Sequence, residues 1–134
     1  MTTLPHTTTS ASALPLIGRV MIAAIFLLSG VSKVTAPAAT IGYIQSAGLP
    51  LPQVGFAVAV LIELGGGIAL VLGYRTRIVA AILAAFAIFT ALAFHSALGD
   101  QNQFINFFKN VAMAGGLLNV VAFGAGAWSL DARR

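Results

Sequence analysis

Four stretches of this 134-residue chain are apolar almost without interruption. Each is long enough to cross a bilayer as a helix, which takes about 20 residues at ~1.5 Å rise apiece. They run from about Leu14 to Val34, from Val54 to Tyr74, from Ile78 to Ala97, and from near Ile105 to near Trp128. Polar residues gather between them. In the longest connection, Thr35 to Gln53, Pro37 suits the first turn of a helix, and Ile41, Tyr43 and Ile44 give it an apolar side. Gly48, Pro50 and Pro52 then break it. The pattern predicts an all-α membrane protein, a four-transmembrane-helix bundle with a short interfacial helix between helices 1 and 2. Residues 1–13, rich in Thr and Ser, read as a disordered tail, 14–130 as the membrane domain, and 131–134 as a short solvated tail. Met1 to Gly18 contains no Lys or Arg, so the expectation is a retained tail and not a secretory signal.

One position breaks the apolar pattern more than any other. Glu63 lies near the middle of the second run, where an unpaired carboxylate costs roughly 2.5–3.5 kcal/mol on insertion scales. It therefore needs a partner, a proton or a job. The Gly65-Gly66-Gly67 run beside it weakens the helix but lets a neighbouring helix approach that turn. Ser29, Gly30 and Ser32 form a similar small patch on the first run, and Ala80/Ala84, Ala81/Ala85 and Ala87/Ala91 on the third.

Composition sharpens the solvent and excludes several chemistries. With 59% hydrophobic and 7% charged residues, against about 25% charged in a soluble domain, the bilayer is the natural solvent. There is no cysteine, hence no disulfide, thiolate metal site or cysteine nucleophile. The net charge of +4 comes from basic residues placed singly beside apolar runs, which fits membrane orientation and not nucleic-acid binding. Four spans put both termini on one side. That side collects Arg19, Arg75, Arg77, Arg133 and Arg134, against Lys33 and Lys109 on the other, so the termini are expected in the cytoplasm.

In that orientation Lys33, His95, Asn106, Lys109 and Asn110 fall toward the outer face. Glu63 lies nine residues, roughly 13 Å, below the outer end of its helix. Lysine side chains from the outer ends reach down several ångströms, and Asn106, Lys109 and Asn110 share one helix face with Met113. A carboxylate, a histidine and one or two ammonium groups can thus line an outer-half pocket. Arg19, from the inner side, competes as the partner of Glu63. Each has a plainer reading too: snorkelling for Lys33 and Lys109, a helix-end cap for His95, a cytoplasmic-face anchor for Arg19. Asn119, deeper in the fourth run, reads as a bond between helices.

No paired carboxylates for glycoside chemistry, HExxH, P-loop or GxSxG occurs, so no complete catalytic motif is present. Two histidines, one of them in the N-terminal tail, cannot ligate a haem pair or a catalytic zinc conventionally, and no metal site is expected. What remains resembles the DoxX family of small bacterial membrane proteins. The resemblance rests on Arg19 with Phe26, Gly30 and Lys33, on Gly48-Leu49-Pro50, and on Glu63 with Leu64-Gly65-Gly66. It continues through Leu72-Gly73-Tyr74-Arg75-Thr76-Arg77, His95, Asn106-Phe107-Phe108-Lys109-Asn110 and Gly115-Gly116, and spans about 15 to 130.

The resemblance implies a four-helix fold in the bacterial inner (plasma) membrane and a link to redox biology. Some relatives are subunits of thiosulfate:quinone oxidoreductases, and others associate with detoxification or oxidative-stress partners. The expectation is a redox-associated membrane subunit with no covalently bound cofactor. Its pocket would hold a quinone or similar small molecule, and a partner protein would supply the electrons. The ligand-binding candidates are Glu63, His95, Lys33, Lys109, Asn110, Asn106 and Arg19. The alternative is a non-catalytic scaffold, or a small-molecule transporter that at this size needs a homo-oligomer, with the same residues forming a structural polar network.

Overall fold

The structure, a computed structural model, describes residues 9–133. Among them all regular structure is helical. The helices are α1 (Thr9–Thr35), α2 (Pro37–Ser46), α3 (Pro52–Leu72), α4 (Thr76–Phe94) and α5 (Gln101–Phe123), followed by a 3₁₀ turn at Asp131–Arg133. All but α2 are long and apolar enough to cross a membrane.

The first helix starts earlier than the apolar pattern predicts. Residues 9–13 of the expected tail are helical, and 1–8 lie outside the described residues. Extending an existing helix through Ser and Ala costs far less than nucleating one, so α1 continues beyond its apolar part. Pro37 occupies the first turn of α2 as expected. That helix ends at Ser46, and Gly48 follows with φ +80°, a left-handed conformation that glycine adopts without strain. Ile44 of α2 is buried and touches the first turns of α3, where Gly55 leaves it room.

Small residues set how closely the long helices pack. Ala80, Ala84, Ala87 and Ala91 form one buried stripe on α4, against which α5 lies along much of its length. The Ala81/Ala85 pair faces outward. The core is completed by Ala23 and Phe26 of α1, Leu70 of α3, Leu83 of α4, and Ala114 and Leu117 of α5. Met21, Leu28, Leu61 and Phe89 are exposed on the outside, which suits lipid and not water as the surrounding solvent.

The C-terminal region departs most from the sequence expectation. Helix α5 stops at Phe123, where Gly124 has φ +80°, so Trp128 is not helical. The chain then folds back over the end of α3. Leu130 N–H donates to the Leu72 carbonyl and Asp131 N–H to that of Gly73, both at 2.9 Å. A helix end leaves carbonyls without intrahelical donors, and here the returning chain supplies them. Asp131 is thus docked onto the start of α4, while Ala132 and Arg133 after it stay exposed.

Candidate functional site

The site begins with a local irregularity. Residues Leu61–Gly65 of α3 form a π turn centred on Glu63, with α-helix on either side. A π turn inserts one extra residue and re-aims the side chains around it, and such turns recur at functional sites. The glycines flanking it permit close approach on two sides. A Cβ on Gly30 of α1 would lie 2.6 Å from Leu64, one on Gly67 2.7 Å from Leu27, and one on Gly66 2.9 Å from Leu83 of α4. The small-residue patches predicted from sequence therefore sit where α1 and α4 grip this turn.

Glu63 is 4% exposed and is paired. Lys33 Nζ donates to its two carboxylate oxygens at 2.8 and 3.1 Å. The lysine side chain keeps 27% exposure because it reaches the carboxylate from the rim of a cavity. That cavity, about 670 Å³, lies between α1, α2, α3, α4 and α5. Its walls include Glu63, Lys33, His95, Lys109 and Asn110. Aliphatic and small residues make up most of the rest, with aromatic rings from Phe26, Phe86 and Phe89 on the long helices. Tyr43 of α2 and Phe94 of α4 also line it and stack at 5.2 Å with planes 19° apart.

The candidates divide. Lys33, Glu63, His95, Lys109 and Asn110 border one space, while Asn106 and Arg19 are not part of its wall. His95 follows the last residue of α4, and its buried Nδ1 has no hydrogen-bond partner among the described residues. Asn110 is engaged, its amide donating to the Ala87 carbonyl at 3.1 Å and to Thr90 Oγ1 at 2.9 Å, which ties α5 to α4. Lys109 donates to Asn106 Oδ1 at 3.2 Å, so Asn106 bears on the site only through that lysine. Among the described residues Asn119 bonds its own helix, at Gly115, and no second helix.

Arg19 is corrected both as a rival partner of Glu63 and as a surface anchor. It is 1% exposed, and its guanidinium donates to the carbonyls of Leu70 (2.7 Å), Val71 (3.0 Å) and Trp128 (2.5 Å). Leu70 is seven residues along α3 from Glu63, ~10 Å, so the arginine meets the helix end instead. The last turn of a helix carries partial negative charge and unmet carbonyls, which makes it a fitting acceptor for a guanidinium.

Chemically, the cavity combines a carboxylate–ammonium pair, an imidazole and aromatic rings. That set can hold a small ring compound with oxygen acceptors and exchange protons with it. Sequence reasoning missed the π turn and the cavity roles of Tyr43 and Thr90. Glycines around a lone carboxylate were the only visible trace of the first.

Similarity to known proteins covers the same region. The DoxX family's sequence profile matches residues 14–96, a span that includes Lys33, Glu63 and His95. Inner membrane protein YqjF of Escherichia coli (strain K12) is 35% identical over 119 residues, covering 87% of this chain and 88% of the relative. Inner membrane protein YphA of the same organism is 36% identical over 123 residues, 88% of each. No solved structure matches.

Proposed function

This chain belongs to the DoxX family, and on that premise we propose that it is a multi-pass inner-membrane protein acting as a redox-associated subunit, whose cavity binds a quinone or a similar small ring compound. The observation that carries the reading is that His95, whose buried Nδ1 has no hydrogen-bond partner among the described residues, lines the same space as the Lys33–Glu63 pair. The aromatic walls take the ring. Lys33 and His95 donate to its oxygens and stabilise negative charge as it is reduced, and Glu63 passes the protons that accompany two electrons. A partner protein supplies those electrons, since the chain has no cysteine and offers one histidine outside its N-terminal tail.

In the bilayer α2 lies in the headgroup layer at the cavity mouth. Both termini face the cytoplasm, with the arginine-rich end inward. Single cysteines at Ser46 and Gln101, in a chain with no native cysteine, label from the outside; labelling from the cytoplasm alone reverses this orientation.

The direct test is Glu63→Gln in the purified full-length protein, with a soluble benzoquinone analogue as probe. Affinity falls about ten-fold, the worth of one charge-assisted bond, while folding is retained. Unchanged affinity overturns the reading. One observation favours a second function. The Lys33–Glu63 and Asn110 bonds join α1 to α3 and α5 to α4, as a structural polar network in a non-catalytic scaffold would. Failure of the Gln variant to assemble supports that alternative.

A further inference from the structure

A second cavity, about 550 Å³, lies at the other end of the molecule, between the start of α4 and the segment that folds back after α5. Arg75, Thr76, Arg77 and Asp131 contribute its polar wall, and Ile78 and Phe123 its apolar one. The Asp131 carboxylate accepts from the backbone N–H groups of Arg75 and Thr76, each at 2.8 Å. That leaves the amides of Arg77 and Ile78, which a helix start provides with no intrahelical acceptor.

The side chains here are poorly matched to what the protein itself supplies. Thr76 is 1% exposed, yet its hydroxyl has no hydrogen-bond partner among the described residues. A buried hydroxyl left unmatched costs free energy that a ligand oxygen can recover. The Arg77 guanidinium lies against Gly124, where a Cβ would come within 3.2 Å of Nε. Unlike Arg75, which donates to the Tyr74 hydroxyl at 3.4 Å, Arg77 makes no ion pair or side-chain hydrogen bond among the described residues. Two arginines against one carboxylate leave this wall with a net charge of +1.

The geometry points to a binding site for an anionic phosphate group, that of a phospholipid headgroup, held by Arg77, the Thr76 hydroxyl and the free amides at the start of α4. Phosphate is the ligand that uses this donor set fully: a guanidinium, a hydroxyl and backbone N–H groups aligned with the positive end of a 19-residue helix. The lipid source follows from the flanks. Ile78 and Phe123 are both exposed, and each belongs to a helix long and apolar enough to cross a membrane. They offer apolar surface where the glycerol and acyl chains of a bound lipid would run. Asp131 opposes the anion, and its charge is partly taken up by the two amides it caps. This site is separate from the ring-lined cavity and does not depend on what that cavity binds.

The test uses the full-length protein in detergent. Its thermal midpoint is followed on titration with phosphatidylglycerol, with phosphatidylcholine, and with inorganic phosphate alone. Phosphatidylglycerol raises the midpoint and phosphatidylcholine does not. Arg77→Gln and Thr76→Val each need about five-fold more lipid for half the shift, and Arg77→Lys retains most of it. An Arg77-dependent shift from inorganic phosphate at comparable concentration keeps the phosphate site but assigns it to the free ion. Equal shifts from the two lipids, or a phosphatidylglycerol shift that Arg77→Gln leaves unchanged, overturn the proposal. Arg77 is exposed, so its Gln variant decides the matter even where Thr76→Val does not fold.

Discussion

Arg19 and Lys33 stand on the same helix fourteen residues apart, ~21 Å along its axis, and both are cations within apolar surroundings. Their partners make them different kinds of residue. Arg19 is closed off, with its guanidinium spent on three backbone carbonyls that cannot titrate or move away. Lys33 faces a single carboxylate and opens onto a cavity. A cation bonded only to fixed backbone holds the fold. One bonded to a titratable group beside open space is available to a ligand. The comparison shows why burial alone is a poor guide to function here: the more deeply buried charge is the structural one.

The largest effect expected from breaking this contrast is at Arg19. Arg19→Met removes the donor to the end of α3 and to Trp128, leaving three carbonyls without it in an apolar setting. Leu70 keeps the Gly73 N–H, so two carbonyls, those of Val71 and Trp128, lose this donor outright, and destabilisation of about 2–4 kcal/mol follows. It would appear as a steep loss of monodisperse protein on detergent size exclusion and of thermal midpoint. Arg19→Lys recovers only part, because one ammonium cannot span the three acceptors in the same geometry. A well-folded Met variant would erase the distinction between the two cations.

The Lys33–Glu63 pair should behave otherwise. Lys33→Met alone strands a carboxylate at mid-helix and costs about 2–4 kcal/mol. Glu63→Met added to it removes the stranded charge. The double variant therefore returns to within ~1.5 kcal/mol of the parent, since paired apolar replacements of a buried ion pair are often neutral. Its thermal midpoint recovers while its affinity for a benzoquinone analogue does not. No second substitution restores Arg19→Met in this way, because its acceptors are main chain.

The π turn that aims Glu63 gives a smaller effect. Gly30→Ala places a Cβ 2.6 Å from Leu64 Cδ2 and 3.4 Å from Glu63 Cβ, so the Leu64 side chain must shift or α1 and α3 separate locally. About 1–3 kcal/mol of overpacking is expected, with weaker probe binding as the ion pair is displaced. Gly18→Ala, beside Arg19, meets nothing within 4 Å and changes the midpoint little. Thermal melts of the two variants compare the packing of the two ends directly.

How much of this was legible from sequence follows the same division. Apolar length alone located the four long helices, since an insertion-length run has few other uses. Glu63 stood out because a carboxylate there is expensive whatever surrounds it. Its partner was not legible. Choosing among Lys33, Lys109 and Arg19 needs the rotation of each helix about its axis, and the π turn alters that rotation at the critical residue. Arg19 was misjudged because its acceptors are backbone carbonyls, which every sequence possesses. Asn119 was misjudged for a related reason: an asparagine can bond its own helix four residues back with no signal in the pattern. The docking of 124–133 left no local trace, because it joins residues more than fifty positions apart.

That docking gives the smallest effect and the finest test of the two-ended picture. Helix α4 begins after Arg75, which has φ +44° and supplies no side-chain cap. Asp131 performs the capping from across the chain, one carboxylate oxygen for each of two amides. Asp131→Ala should cost about 1 kcal/mol, the usual worth of a helix cap, and Asp131→Asn should fall between, keeping one acceptor of the two. Because Asp131 caps the start of α4 while the cavity reaches its His95 end, the Ala substitution should leave probe binding in the ring-lined cavity unchanged. Its stability cost should add to that of Lys33→Met within ~0.5 kcal/mol. A larger deviation, measured by a double-mutant cycle on thermal melts, would mean that α4 transmits the state of its capped start to the His95 end. The two ends would then be one coupled device and not a structural clamp beside an independent site.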